Sequence, residues 1–209
     1  MGKAEKLLTV SVAGEGNMNV VLRVKTTEQS FILKQSRPYV NKYPSVPAPV
    51  SRINVETQFY RLLAQNGVWE NSAPKVLWFD EANLILSLQD LGASSDFTDI
   101  YKKGTNLSKY EIAQLASRIS ELHSGLKSEV VIDNEAMRIL NHAHMYVLPL
   151  SPSNGFDLNF VLPGFQEKTE KFRNDIKLSK CAKMLGDIYL QKEGETLLHG
   201  DFYPGSWLR

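Results

Sequence analysis

The chain has 209 residues, of which 43% are hydrophobic and 22% charged, an ordinary globular composition that excludes a disordered or low-complexity protein. Lys and Arg number 24 against 23 Asp and Glu, a formal net charge of +1 that gives no electrostatic reason to expect nucleic acid or an anionic membrane as partner. One cysteine, Cys181, excludes an intrachain disulfide and a cysteine metal cluster. No apolar run approaches the roughly 20 residues that span a bilayer, and no signal-peptide core follows the polar start, so a cytoplasmic protein is expected.

In chain order, residues 7–12, 20–24 and 31–35 read as β-strands in a small antiparallel meander. The first two are linked by Gly14-Glu15-Gly16-Asn17-Met18-Asn19, residues that tolerate positive φ. Prolines at 38, 44, 47 and 49 predict an irregular connector. Val55, Phe59, Leu62 and Leu63 then predict a helix over 54–66, stopped by Gly67. Residues 76–79 and 84–88 read as two more strands around the turn 80–83. Beyond Gly92 the period becomes helical. Ser108 with Glu111 predicts a capping box, followed by an apolar stripe of Ile112, Leu115, Ile119 and Leu122. Further helices are expected over 135–148 and, as one long element, over 165–191, with 149–164 as a connection. Two lobes result: 1–91, strand-rich, with a hinge at 88–92, and 92–209, helical.

Three features bear on chemistry. A Gly-x-Gly turn such as Gly14 and Gly16 can lay backbone N–H groups on phosphate oxygens, although most such turns are only turns. Lys34 ends an apolar strand, where it either faces a cleft or keeps its head in water at a strand edge. Glu56, in the following helix, can pair with it as the strand lysine and helix glutamate of protein kinases do. Finally His199-Gly200-Asp201 enters a Pro204-Gly205 turn, with Ser206 five positions after Asp201. A kinase catalytic loop has His-x-Asp with a metal-binding Asn at that spacing, and a serine hydroxyl still offers Mg²⁺ an oxygen. Other groups read as structural. His142 and His144 point about 200° apart on a helix and do not converge on one metal, and Cys181 reads as a small core residue. Trp69, Trp78 and Trp207 read as packing, Tyr39 and Tyr43 as part of a packed loop, and the charges over 167–171 as a solvated helix face.

These motifs in this order resemble the aminoglycoside phosphotransferase and choline kinase-like superfamily, most closely its S-methyl-5-thioribose kinase branch. The resemblance rests on residues 14–19, Ile32-Leu33-Lys34-Gln35 with Arg37-Pro38-Tyr39, Arg52 to Glu56, Gln89-Asp90-Leu91 and residues 195–201. Gly205-Ser206, where most of the superfamily has Asn at the second position, favours that branch. From about 102 to 194 only the helical pattern matches.

The resemblance implies an α+β, protein kinase-like two-lobed fold and an ATP- and Mg²⁺-dependent kinase acting on a hydroxyl of a small molecule. Asn17 and Asn19, in the loop with Gly14 and Gly16, would lie under the ATP phosphates. Lys34 would contact the α- and β-phosphates, oriented by Glu56. Gln89, Asp90 and Leu91 would form the adenine hinge. Asp201 would be the catalytic carboxylate and Ser206 would lie near the metal. The branch implies a methylthioribose-like substrate, with aminoglycoside, choline or homoserine as alternatives, and it allows a homodimer. Family members continue past the catalytic loop to a second metal carboxylate and substrate-binding arginines, so the sequence reads as the N-terminal part of a longer kinase or as a truncated, non-catalytic nucleotide-binding or scaffolding remnant.

Overall fold

The computed structural model describes residues 5–14, 16–126, 132–151, 155, 157–191, 194 and 196–209. Two residues of the sequence motifs, Glu15 and Glu195, lie outside the described residues. The chain forms two compact units, residues 1–133 with 194–209, and residues 134–193.

The first unit is built on a five-stranded antiparallel sheet in the order β1-β2-β3-β7-β6. Its strands are β1 Leu7–Val12, β2 Val20–Thr26, β3 Ser30–Gln35, β6 Val76–Asp80 and β7 Ile85–Gln89. The register pairs Val21 with Lys34 and Lys34 with Leu86, so Lys34 sits on the central strand. Helix α1, Arg52–Gln65, begins two residues earlier than the spacing predicts, and its buried residues are Arg52, Ile53, Thr57 and Leu63. Ile53, Leu86 and Leu88 form one core cluster between this helix and the sheet. Leu63, Val68, Trp69, Leu122 and Leu126 form a second, against α2, Lys109–Gly125. The Ser108–Glu111 capping box is formed in full at the start of α2. Of its expected apolar stripe Leu122 is buried but Ile112 is 53% exposed.

The proline-rich connector is not irregular. Tyr39–Val40 (β4) and Tyr43–Pro47 (β5) form a separate two-stranded ribbon, pairing Tyr39 with Pro47 and Val40 with Tyr43. Proline is tolerated there because a strand in a two-stranded ribbon has one side that owes no N–H to a neighbour.

The second unit is helical and corrects two boundaries. Helix α3, Glu135–His142, passes into a π turn over Ala143–Val147, and Leu148–Leu150 forms a 3₁₀ turn. Gly186 packs so closely here that an added Cβ would stand 2.6 Å from His142 Nε2 and 3.1 Å from Tyr146 Cβ. The predicted long helix is two: α4, Phe165–Arg173, and α5, Ile176–Gln191. Asn174 closes the first and Asp175 caps the second, its carboxylate accepting from the N–H groups of Lys177 (2.9 Å) and Leu178 (3.0 Å). Cys181, expected in a core, is exposed on α5.

Among the described residues no helix is long and apolar enough to cross a membrane.

Candidate active site

Five residues from three separated stretches come together in the first unit. Lys34 Nζ on β3 donates to Glu56 Oε1 on α1, with both side chains about one-fifth exposed. Burial pulls the Lys34 ammonium down, but Glu56, with smaller contributions from Tyr60 and Asp201, outweighs it and holds the proton above the usual lysine range. Lys34 is therefore a permanent cation. Tyr60, one turn along α1 from Glu56, is pushed by burial up to about 12 and stays a neutral phenol. Asp201 is exposed, and its field reaches both Lys34 and His199.

The segment that carries Asp201 is pinned at both ends. Before it, Thr196 Oγ1 donates to His123 O (2.8 Å) and Leu197 N–H to Leu126 O (3.1 Å) at the end of α2. Gly200 adopts φ +78°, a left-handed turn that disfavours any side chain. That turn lets the Asp201 N–H fold back onto His199 Nδ1 at 3.2 Å. The His199 ring sits edge-on to Phe59 and Phe202 and tilted against Trp69, with centroids 5.7–6.0 Å apart. Burial lowers its pKa, against the opposing pull of Asp201, so the ring is neutral and its Nδ1 is free to accept. After it, Ser206 Oγ donates to Asp201 Oδ2 at 3.4 Å. Beyond Ser206, Phe97 N–H bonds Pro204 O (3.1 Å), and Arg209 pairs with Asp99 and Glu111 while lying over the Phe97 ring.

Gly14 has φ +73°, and a Cβ on Gly16 would stand 3.2 Å from Val21, so both positions suit glycine. Asn17 O accepts from Lys42 N–H (3.0 Å) and Asn19 Oδ1 from Arg52 Nε (2.9 Å). Burial lowers the Arg52 guanidinium, against the opposing field of Glu56. Gln89 ends β7, and its backbone N–H is bound to Lys75 O (2.8 Å). The Asp90 carboxylate is engaged by Arg23, Ser30 Oγ and Gly92 N–H, which together outweigh its desolvation and hold it below the usual carboxylate range. Asp90 therefore presents its side chain to β2 and β3. Leu91 is 47% exposed at the same bend.

Reading the motifs alone misses the aromatic setting of His199, the Arg23–Asp90 tie and the Arg209 clamp. Their partners lie 67 or more positions apart, or outside any motif. Arg52 was legible in principle: it stands four positions before Glu56, hence on the same helix face.

The Ser206 hydroxyl is a hard oxygen donor of the kind that suits a magnesium ion arriving with nucleotide, because Mg²⁺ takes few protein oxygens and leaves its remaining positions to phosphate and water. Among the described residues no group of three His, Cys, Asp or Glu could hold a metal without it.

No family model matches the chain. It is 28% identical over 207 aligned positions to a methylthioribose kinase of Bacillus cereus (strain B4264), covering 92% of this chain and 50% of that protein. It is 26% identical over 214 positions to the methylthioribose kinase of Exiguobacterium sibiricum, covering 95% and 52%. Among solved structures, a spectinomycin phosphotransferase in complex with ADP and spectinomycin aligns at 14% identity and TM-score 0.49, covering 98% of this chain and 59% of that one. A choline kinase from Streptococcus pneumoniae aligns at 16% identity and TM-score 0.40, covering 82% and 53%. The curated relatives it resembles are methylthioribose kinases, and it spans about half of their length.

Proposed function

We propose that this chain is the nucleotide-binding and catalytic-loop portion of an ATP-dependent small-molecule kinase, acting on a hydroxyl of a methylthioribose-like sugar. The observation that carries the reading is the Lys34–Glu56 pair lying within the field of Asp201. Sequence similarity to methylthioribose kinases over 92% of the chain supports the substrate class.

Each residue then has a chemical task. Lys34, held protonated and aimed by Glu56, neutralises phosphate charge. The loop from Gly14 to Asn19 offers backbone N–H groups to phosphate oxygens. Asp201 accepts the proton of the attacking hydroxyl or orients it, with phosphoryl transfer otherwise relying on positioning and charge neutralisation. His199, as a neutral acceptor of the Asp201 N–H, fixes the backbone from which that carboxylate projects. Mg²⁺, bound with ATP, would lie near the Ser206 hydroxyl and would offset the charge of the phosphates. A near-neutral net charge suits a small-molecule substrate in the cytoplasm better than nucleic acid or a membrane surface.

The test is ADP release from ATP and Mg²⁺ in the presence of methylthioribose, choline or an aminoglycoside. Methylthioribose-dependent turnover that disappears in Asp201→Asn is the expected result. Turnover with choline or an aminoglycoside alone would overturn the substrate class, and turnover that survives Asp201→Asn would overturn the catalytic assignment.

A further inference from the structure

Arg52 is only 7% exposed, yet among the described residues its guanidinium makes no ion pair. Its donors are spent on neutral acceptors from two stretches. Nε donates to Asn19 Oδ1 (2.9 Å) and Nη2 to Met18 O (2.7 Å), both at the end of the glycine-rich loop. Nη1 donates to Arg37 O (2.8 Å) and Pro49 O (2.7 Å), at the two ends of the connector, and Nη2 also reaches Tyr39 O at 3.5 Å. The nearest carboxylate on its own helix, Glu56, is engaged by Lys34. The tip of the β4–β5 ribbon supports the same loop, with Lys42 N–H on Asn17 O (3.0 Å) and Asn41 N–H on Met18 O (3.4 Å).

A buried cation without a carboxylate is costly, and replacing it with an apolar residue would ordinarily favour stability. Here the fork joins the glycine-rich loop to the helix that carries Glu56. We propose that Arg52 is a positioning residue for nucleotide phosphates. It holds Met18 and Asn19 in register with the Lys34–Glu56 pair, so that loop and lysine reach the same phosphate groups. The role rests on the nucleotide reading given above. It requires the planar five-donor fork, which lysine cannot reproduce.

The experiment is calorimetric titration of the 209-residue chain with ADP and with adenosine, for the unaltered protein, Arg52→Lys, Arg52→Gln and Lys34→Ala, with thermal melting of each. Arg52→Lys keeps the charge and can still donate to carbonyls, so it reports on the fork if Arg52→Gln does not fold. Expected is a loss of ADP affinity of about five- to thirtyfold in Arg52→Lys, with adenosine affinity unchanged and a cooperative melt retained. A purely structural role would weaken both ligands together or neither. Equal ADP affinity in Arg52→Lys and the unaltered chain, while Lys34→Ala is weakened, would overturn the proposal and leave the nucleotide reading standing. Absence of ADP binding by the unaltered chain would overturn both.

Discussion

Lys34 on the central strand and Glu56 on α1 are 22 positions apart in sequence, and they meet as an ion pair that keeps the lysine charged. The pair joins sheet to helix, and the same cation lies within the field of Asp201, which closes the chain's other end onto this unit. Its side chains are partly exposed, so its contribution to stability is small, and its consequence is the placement of charge. Glu56→Gln should lower stability by about 1 kcal/mol or less but weaken ATP binding about tenfold by releasing the lysine head. Denaturant unfolding together with ATP titration checks both numbers.

Asp201→Asn should leave ATP affinity within about threefold of the unaltered chain while abolishing transfer, because the amide cannot accept the hydroxyl proton. Single-turnover measurement separates the two effects. A parallel fall in binding and turnover would instead make Asp201 a binding group.

His199 gives the fold a pH dependence of known sign. Its folded pKa is depressed, chiefly by burial, below the ordinary 6.5 of an unfolded histidine. The unfolded state therefore binds more protons in that interval, and stability is fully present above pH 6.5 and falls as pH drops toward the folded value. The carboxylates held low, Asp80, Asp90, Asp96 and Glu111, add their own losses only at more acidic pH. Melting temperature should decline as pH falls below about 6.5, and His199→Gln should flatten that decline. An unchanged slope in the variant would exclude His199 as its origin.

Asp175→Ala removes the carboxylate that accepts two N–H groups at the start of α5. A loss of about 0.5–2 kcal/mol is expected, corresponding to a melting shift of a few degrees. Helical circular dichroism should lose amplitude by no more than a turn or two.

Much of the fold could be read because its signals are local. Alternation marked the strands, and Ser108 and Glu111, three positions apart, declared the start of α2. The connector misled because its prolines were weighed as breakers, whereas the ribbon they join needs few donors. The break between α4 and α5 was written in Asn174-Asp175, but hydrophobic spacing continued across it and hid the cap. No local pattern announces the π turn at Ala143–Val147, whose neighbour Gly186 lies on another helix and accommodates the His142 and Tyr146 side chains. In the site, Lys34, Glu56, Asp201 and Ser206 could be named because each stands at a fixed place in an ordered series of motifs. The partners of Arg52, His199 and Asp90, by contrast, lie in distant stretches, which spacing does not encode.

The central claim, that Lys34 and Glu56 form the core of a nucleotide site, is tested most directly by titrating ATP with Mg²⁺ into the unaltered chain and into Lys34→Ala. Saturable one-to-one binding that weakens about tenfold or more in the variant is predicted. Equal affinity in both, or no binding to the unaltered chain, would contradict the claim.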